Sequence, residues 1–346
     1  MEARINRITH IDIFKGIGIL FMVMGHIGFS SIFDKWIHAF HMPMFFFISG
    51  YLSKNISELH GGGREYILKK TKTLIVPYFS FGIFHFIFWY IAINKMQYHF
   101  GLLKNLLWTN TYTLPIAGAL WFLTALFFVD IFYLLIEKFI TYNSLKFFII
   151  LLISTFGTIE TKVFSFRLPY AIDSAFVGIG LFYIGRLIKN HKEEKIICSL
   201  LNMKVLPIII SSFIVGILIF LNGYINMRSS KYAFIPLFWI NAVLSSIIIL
   251  NISKFIENLF SHGIFKLIKS ELTFVGSNSI VYVCLNQIVI LLISHFTEIL
   301  YPIRNEYLTK YSINILILII TMILLHLLTF LIKHTKLIIF IGKFKK

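Results

Sequence analysis

The chain has 346 residues, of which 58% are hydrophobic and only 14% charged, with 32 Lys and Arg against 15 Asp and Glu, a formal charge of +17. Apolar runs recur along the whole length with no polar block between them, which excludes an ordinary water-soluble domain and predicts a single all-α, polytopic membrane domain over 1–346. The two cysteines, Cys198 and Cys284, lie far apart with no Cys or His at ligand spacing, so neither a disulfide framework nor a structural zinc is expected.

The first apolar run, Ile11 to Phe29, is long enough to cross a bilayer, yet it carries Asp12, Lys15 and His26. It is too long and too polar for a cleaved signal peptide and is expected to be retained. At about 100° per residue, Lys15 and His26 fall within roughly 20° of each other on one helix face, with Asp12 and Met22 beside them, and about 16 Å apart along the axis. Asp12 and Lys15 lie near one membrane surface, where they either snorkel to the headgroups or act as part of a site. His26 lies deep in the apolar run, where an unpaired imidazole is costly and where histidine is the side chain best suited to exchange a proton near neutral pH.

About ten spans are predicted, near 11–29, 38–53, 74–94, 119–137, 146–160, 171–188, 205–223, 232–252, 274–295 and 312–333, the second and fifth being short. With both termini on one side, that side carries 22 Lys and Arg and the opposite loops 9, so the positive-inside rule places both termini in the cytoplasm. The positive charge is therefore mostly a matter of topology, and no nucleic-acid partner is expected.

After the short loop Ser30 to Ile37 comes AFHMPMFFFISGYL. Pro43 suits the first turn of a helix. His41, at the outer end of the second span, is placed to approach His26 at the outer end of the first. Phe45, Phe46 and Phe47 are expected to face lipid or neighbouring helices, and Ser49 and Gly50 to permit close helix contact. Ser49 has no base or strained elbow that would make it a nucleophile.

An Asp and a Lys early in the first span, a His eleven residues after the Lys, and FHMPMFFFISGYL together resemble the membrane acyltransferase 3 family. That resemblance implies a bacterial inner-membrane protein of about ten spans that carries an acyl group, usually acetyl from acetyl-CoA, onto a sugar or cell-surface polysaccharide. It implies His26 as catalytic base, Lys15, with Asp12 beside it, in the acyl-CoA region, and His41 as an aid in placing the acceptor or sharing the proton. No metal is implied.

The following loop, GGGREYILKKTKTLIVPYF, contains Arg64, Lys69, Lys70 and Lys72. These are either a solvated positive-inside loop or a seat for the phosphates of coenzyme A. Family members often show paired arginines before this proline; Lys70 matches the first, whereas Thr73 stands at the second, so only Arg64 and Lys70 are carried forward.

Between the third and fourth spans, residues 95–118 include Leu102, Leu103, Leu106, Leu107 and Trp108, either an interfacial amphipathic helix or an ordinary belt segment. Trp121, in a block that resembles the family's LWFL, is a membrane anchor or a platform for a sugar ring. The sixth span opens with Asp173 and closes with Arg186 in a pattern resembling the fucose 4-O-acetylase-like subgroup; Asp173 would bind sugar hydroxyls, orient an imidazole or cap the helix, and Arg186 would anchor in the membrane. The segment NGYINMRSSKYAF, residues 222–234, has groups that suit carbohydrate or any turn. In many relatives a His stands near Asn286, so Asn286 and Gln287 are a departure that bears on the acceptor. The alternative function on the same scaffold is a polysaccharide exporter or flippase.

Overall fold

The computed structural model describes residues 8–54, 62–93, 118–164, 167–259, 262–296 and 307–344. Among them, nine helical segments are long and apolar enough to cross a membrane, as expected of an all-α polytopic membrane protein. Helix α1, Thr9–Ile27, ends where Gly28 takes a left-handed conformation (φ 78°) and returns its N–H to Met24 O. Helix α2, Ser31–His38, starts on the Ser30 hydroxyl, which accepts from Phe33 N. Helix α3, Pro43–Leu52, has its proline in the first turn.

The second expected span, at 38–53 and short, contains a helix of only ten residues. Ten residues rise about 15 Å, half a bilayer core. Phe45, Phe46 and Phe47 are buried among neighbouring helices and do not face lipid. The fifth expected span, by contrast, is a full helix of 21 residues.

Helix α4, Gly62–Lys70, runs through a π turn at Thr71–Ile75 into α5, Val76–Phe88. Pro77 accounts for the widening, since it lacks an N–H and its ring crowds the carbonyl one turn back. The remaining helices are α6 (Trp121–Phe139), α7 (Asn143–Val163), α8 (Ile172–Asn190), α9 (Lys195–Leu201), α10 (Val205–Asn222), α11 (Ile235–Leu259), α12 (Gly263–Ser277), α13 (Ser279–Phe296) and α14 (Tyr307–His334). A small antiparallel hairpin, Ile225–Asn226 with Lys231–Tyr232, separates α10 from α11. The expected interfacial segment with Leu102, Leu103, Leu106, Leu107 and Trp108 lies outside the described residues.

Two backbone-to-backbone crossings hold the centre. Gly50 of α3 faces the Phe182 carbonyl of α8, and Gly185 of α8 faces the Phe47 carbonyl of α3; a Cβ at either would overlap the opposing backbone. Gly16 of α1 and the Leu272 carbonyl of α12, and Gly276 and the Asp12 carbonyl, form the second crossing in the same way. Small residues at such points let helices gain dispersion contact that lipid cannot replace. Around this centre α7, α10 and α14 turn exposed Phe147, Phe148, Phe213, Leu221, Leu327 and Phe330 outward, the surface a bilayer-facing helix requires.

Arg186 is not a membrane anchor. It is 2% exposed and donates to the backbone and side-chain oxygens of Ser53, and Lys189 Nζ donates to the same carbonyl at 2.7 Å. These cations satisfy the C-terminal end of the short helix α3, where carbonyls would otherwise lack partners.

Candidate active site

His26 sits in the last turn of α1, and its Nδ1 donates to Asn286 Oδ1 on α13 at 2.5 Å. The orientation of that amide is set locally. Asn286 Nδ2 donates to Tyr282 O and Val283 O, both at 2.8 Å, so its oxygen must face the imidazole. A carbonyl-type oxygen can only accept, so the ring carries its proton on Nδ1 and presents Nε2 with a lone pair. Asn286 is fully buried while His26 is exposed to a cavity.

That cavity measures about 340 Å³. Its walls come from five parts of the chain: Met22, Gly25 and His26 of α1; Asp34, His38, His41, Met42 and Phe45 of α2, α3 and their junction; Gly118, Ala119, Trp121 and Phe122 at the start of α6; Tyr224, Asn226, Met227 and Arg228 of the hairpin; Val283 and Gln287 of α13. His41 Nδ1 donates to Ile37 O at 2.9 Å, and His38 Nδ1 faces both the backbone oxygen (2.8 Å) and Oδ1 (3.1 Å) of Asp34. The His38 and His41 rings lie 5.0 Å apart, edge to face. All three imidazoles therefore engage Nδ1 with an oxygen and leave Nε2 for whatever enters. The Arg228 guanidinium and the Gln287 amide converge on Gly118, which has no side chain to exclude them.

The hairpin is held over the cavity by side chains below it. Ser174 Oγ donates to Met227 O at 2.9 Å, Thr161 Oγ1 to Ser230 O at 3.1 Å, and Arg167 to Arg228 O at 2.9 Å. Asp173, wholly buried, pairs with Arg167 at 2.6 Å and accepts from its neighbour Ser174 N at 2.8 Å.

The structure thus brings His26, His41 and Trp121 to one cavity and sets Asn286 directly behind His26. It does not bring the other candidates there. Asp173 reaches the cavity only through Arg167 and the hairpin. Lys15 Nζ pairs with Asp12 at 2.7 Å near the far end of α1, about 16 Å from His26 by helix rise. Lys70 pairs at 2.8 Å with Asp130, a carboxylate buried in α6 that also accepts from Tyr66 at 2.5 Å, while Arg64 is exposed on α4. Among the described residues, no group of three or more His, Cys, Asp or Glu is placed to hold a metal ion.

Asp34 and His38 belong to the cavity without having been singled out from the sequence, whereas Tyr224, Asn226 and Arg228 fall in the segment 222–234, read there as suited to carbohydrate or any turn. His38, three residues before His41 on a helical stretch, carried a usable signal; that the hairpin residues meet His26 did not show, since nothing local joins position 228 to position 26.

The acyltransferase domain pattern matches residues 8–339, nearly the whole chain. The chain belongs to the membrane acyltransferase 3 family. No curated protein and no solved structure matches it. As a membrane acyltransferase, the protein needs a base for the acceptor and a place where acceptor and donor meet. His26 is held in one tautomer at the edge of a polar cavity.

Proposed function

We propose that the protein is an O-acyltransferase that moves an acetyl group from cytoplasmic acetyl-CoA to a hydroxyl of a sugar or cell-surface polysaccharide at the bacterial inner membrane. The observation that carries this reading is the His26–Asn286 pair, with Nε2 the nitrogen left to a cavity rich in hydrogen-bonding groups. In this reading, His26 Nε2 takes the proton of an acceptor hydroxyl as its oxygen attacks the thioester carbonyl. The carbon–sulfur bond then breaks, and the imidazolium returns the proton to the departing thiolate, so that ester and free coenzyme A leave. Asn286 Oδ1 favours the imidazolium through the hydrogen bond it already holds. Gln287 and Arg228 are the donors in the cavity able to meet negative charge on the carbonyl oxygen. Trp121 and Tyr224 are the aromatic side chains at the cavity that a sugar would pack against. Coenzyme A would enter from the opposite end of α1, its phosphates near Lys15 and Arg64, and its flexible arm would extend along the helix face toward His26.

The test is transfer from labelled acetyl-CoA to the membrane glycan fraction, comparing the unaltered protein with His26→Ala at equal expression. Label that depends on His26 is the expected result. Label unaffected by the substitution removes the base assignment, and glycan export without acetyl-CoA consumption favours a transporter.

A further inference from the structure

The hairpin that covers the cavity has a second side. There a basin of about 640 Å³ is lined by Lys162, Arg167, Ser229, Lys231 and Tyr232, together with Tyr224, which also borders the cavity that holds His26. Among the described residues, no carboxylate lines this basin. Arg167 is engaged by Asp173 and by the Arg228 carbonyl, but Lys162 and Lys231 are exposed and form no ion pair among the described residues. Across the hairpin, Asp34 is the one carboxylate among the described residues that line the inner cavity, its Oδ1 3.1 Å from His38 Nδ1, and Arg228 adds another cation. Around Tyr224 the two chambers present guanidinium, aromatic, hydroxyl and ammonium groups.

We propose that this basin is a second acceptor subsite and that the acceptor is an anionic polymer, a glycan bearing carboxylates. Neighbouring units would rest against Lys162 and Lys231 while the reacting unit lies at His26. The inference rests on the acyl-transfer reading above. Because Tyr224 borders both chambers, neighbouring units of one chain would lie on either side of that ring. Exposed lysines alone would serve phospholipid headgroups equally well. The concavity, with Tyr232 and Ser229 in its wall and the half-exposed Tyr224 ring at its rim, favours a sugar chain.

The experiment measures binding of fluorescent polygalacturonate, and of neutral dextran of equal length, to the detergent-solubilised full chain without acetyl-CoA. Two paired variants accompany it: Lys162→Glu with Lys231→Glu, and a control pair Lys192→Glu with Lys195→Glu on a different exposed segment. Polygalacturonate is expected to bind more tightly than dextran, to weaken with salt, and to lose about tenfold in the first pair but not in the control. Equal binding of the two polymers, or equal loss in both charge-reversed pairs, overturns the proposal. So does displacement of the polymer by phosphatidylglycerol vesicles that bind through the same two lysines, which would make them headgroup contacts. If the polymer binds as expected while labelled acetyl-CoA yields no His26-dependent ester, the acyl-transfer reading fails and the carboxylate-binding basin stands.

Discussion

Asn286 accepts the Nδ1 proton of His26 at 2.5 Å because both hydrogens of its own amide are held by carbonyls one turn back on α13. The pair joins positions 260 residues apart. It does for this imidazole what a carboxylate does in a catalytic triad, fixing tautomer and ring plane, but with a neutral oxygen.

Replacing Asn286 by Leu should remove that hold and leave His26 in place. The loss of one oriented hydrogen bond, about 1–3 kcal/mol, corresponds to roughly five- to 150-fold in turnover. Steady-state kinetics should show it in kcat with little change in KM for either substrate. His26→Ala should cost more, about 10²–10⁴-fold. Equal losses in the two variants would mean that Asn286 does more than position the ring.

Lys70 is the cation whose role is most sharply divided between donor binding and support of a buried charge. Its partner Asp130 is fully enclosed. Lys70→Met should therefore leave a buried carboxylate unpaired and destabilise the protein by about 3–5 kcal/mol, whereas adding Asp130→Asn should restore most of the loss. Thermal unfolding in detergent measures both. A single variant of normal stability with raised KM for acetyl-CoA would instead make Lys70 a phosphate ligand.

The hairpin depends on a pair it does not contain. Asp173→Ala should strand Arg167, which is 9% exposed as a side chain, and release the strap that fixes the Arg228 carbonyl. Stability should fall by about 3–5 kcal/mol. At temperatures where the variant stays folded, KM for the acceptor should rise while KM for the donor holds.

Glycines divide by what stands opposite them. Gly185→Ala, which must push α8 away from the Phe47 carbonyl, should cost about 1–3 kcal/mol or more. Gly216→Ala on α10 has open space before it, and should be neutral or stabilising by about 0.5–1 kcal/mol because alanine is the better helix former. The difference in melting temperature between the two variants checks the crossing directly.

Much of this architecture is readable before folding is considered. Long apolar runs mark spans because lipid allows few other arrangements, and the 3.6-residue period places Lys15 and His26 on one face. The second span is legible as short, but whether FHMPMFFFISGYL turns its phenylalanines to lipid or to protein is settled only by packing, which buries them against neighbouring helices. Asp173 and Arg186 are visible as costly residues, but their partners, Arg167 and Ser53, are chosen by tertiary packing. Asn286 could be noticed as an oddity of its position; that it stands behind His26 follows only from how α13 packs on α1. The hairpin was legible as polar and aromatic, and its place over the cavity was not, because Ser174, Thr161 and Arg167 pin it from other segments.

The crossing of α1 with α12 fixes more than a contact. Where Gly16 and Gly276 let two backbones touch, neither helix can slide or roll without opening a void or forcing atoms together. The N-terminal half of α1 is thereby a stationary rail, and the span from Lys15 to His26 is a ruler of constant length. Two reactants arriving from opposite faces of a membrane would have to meet at a mark on that ruler.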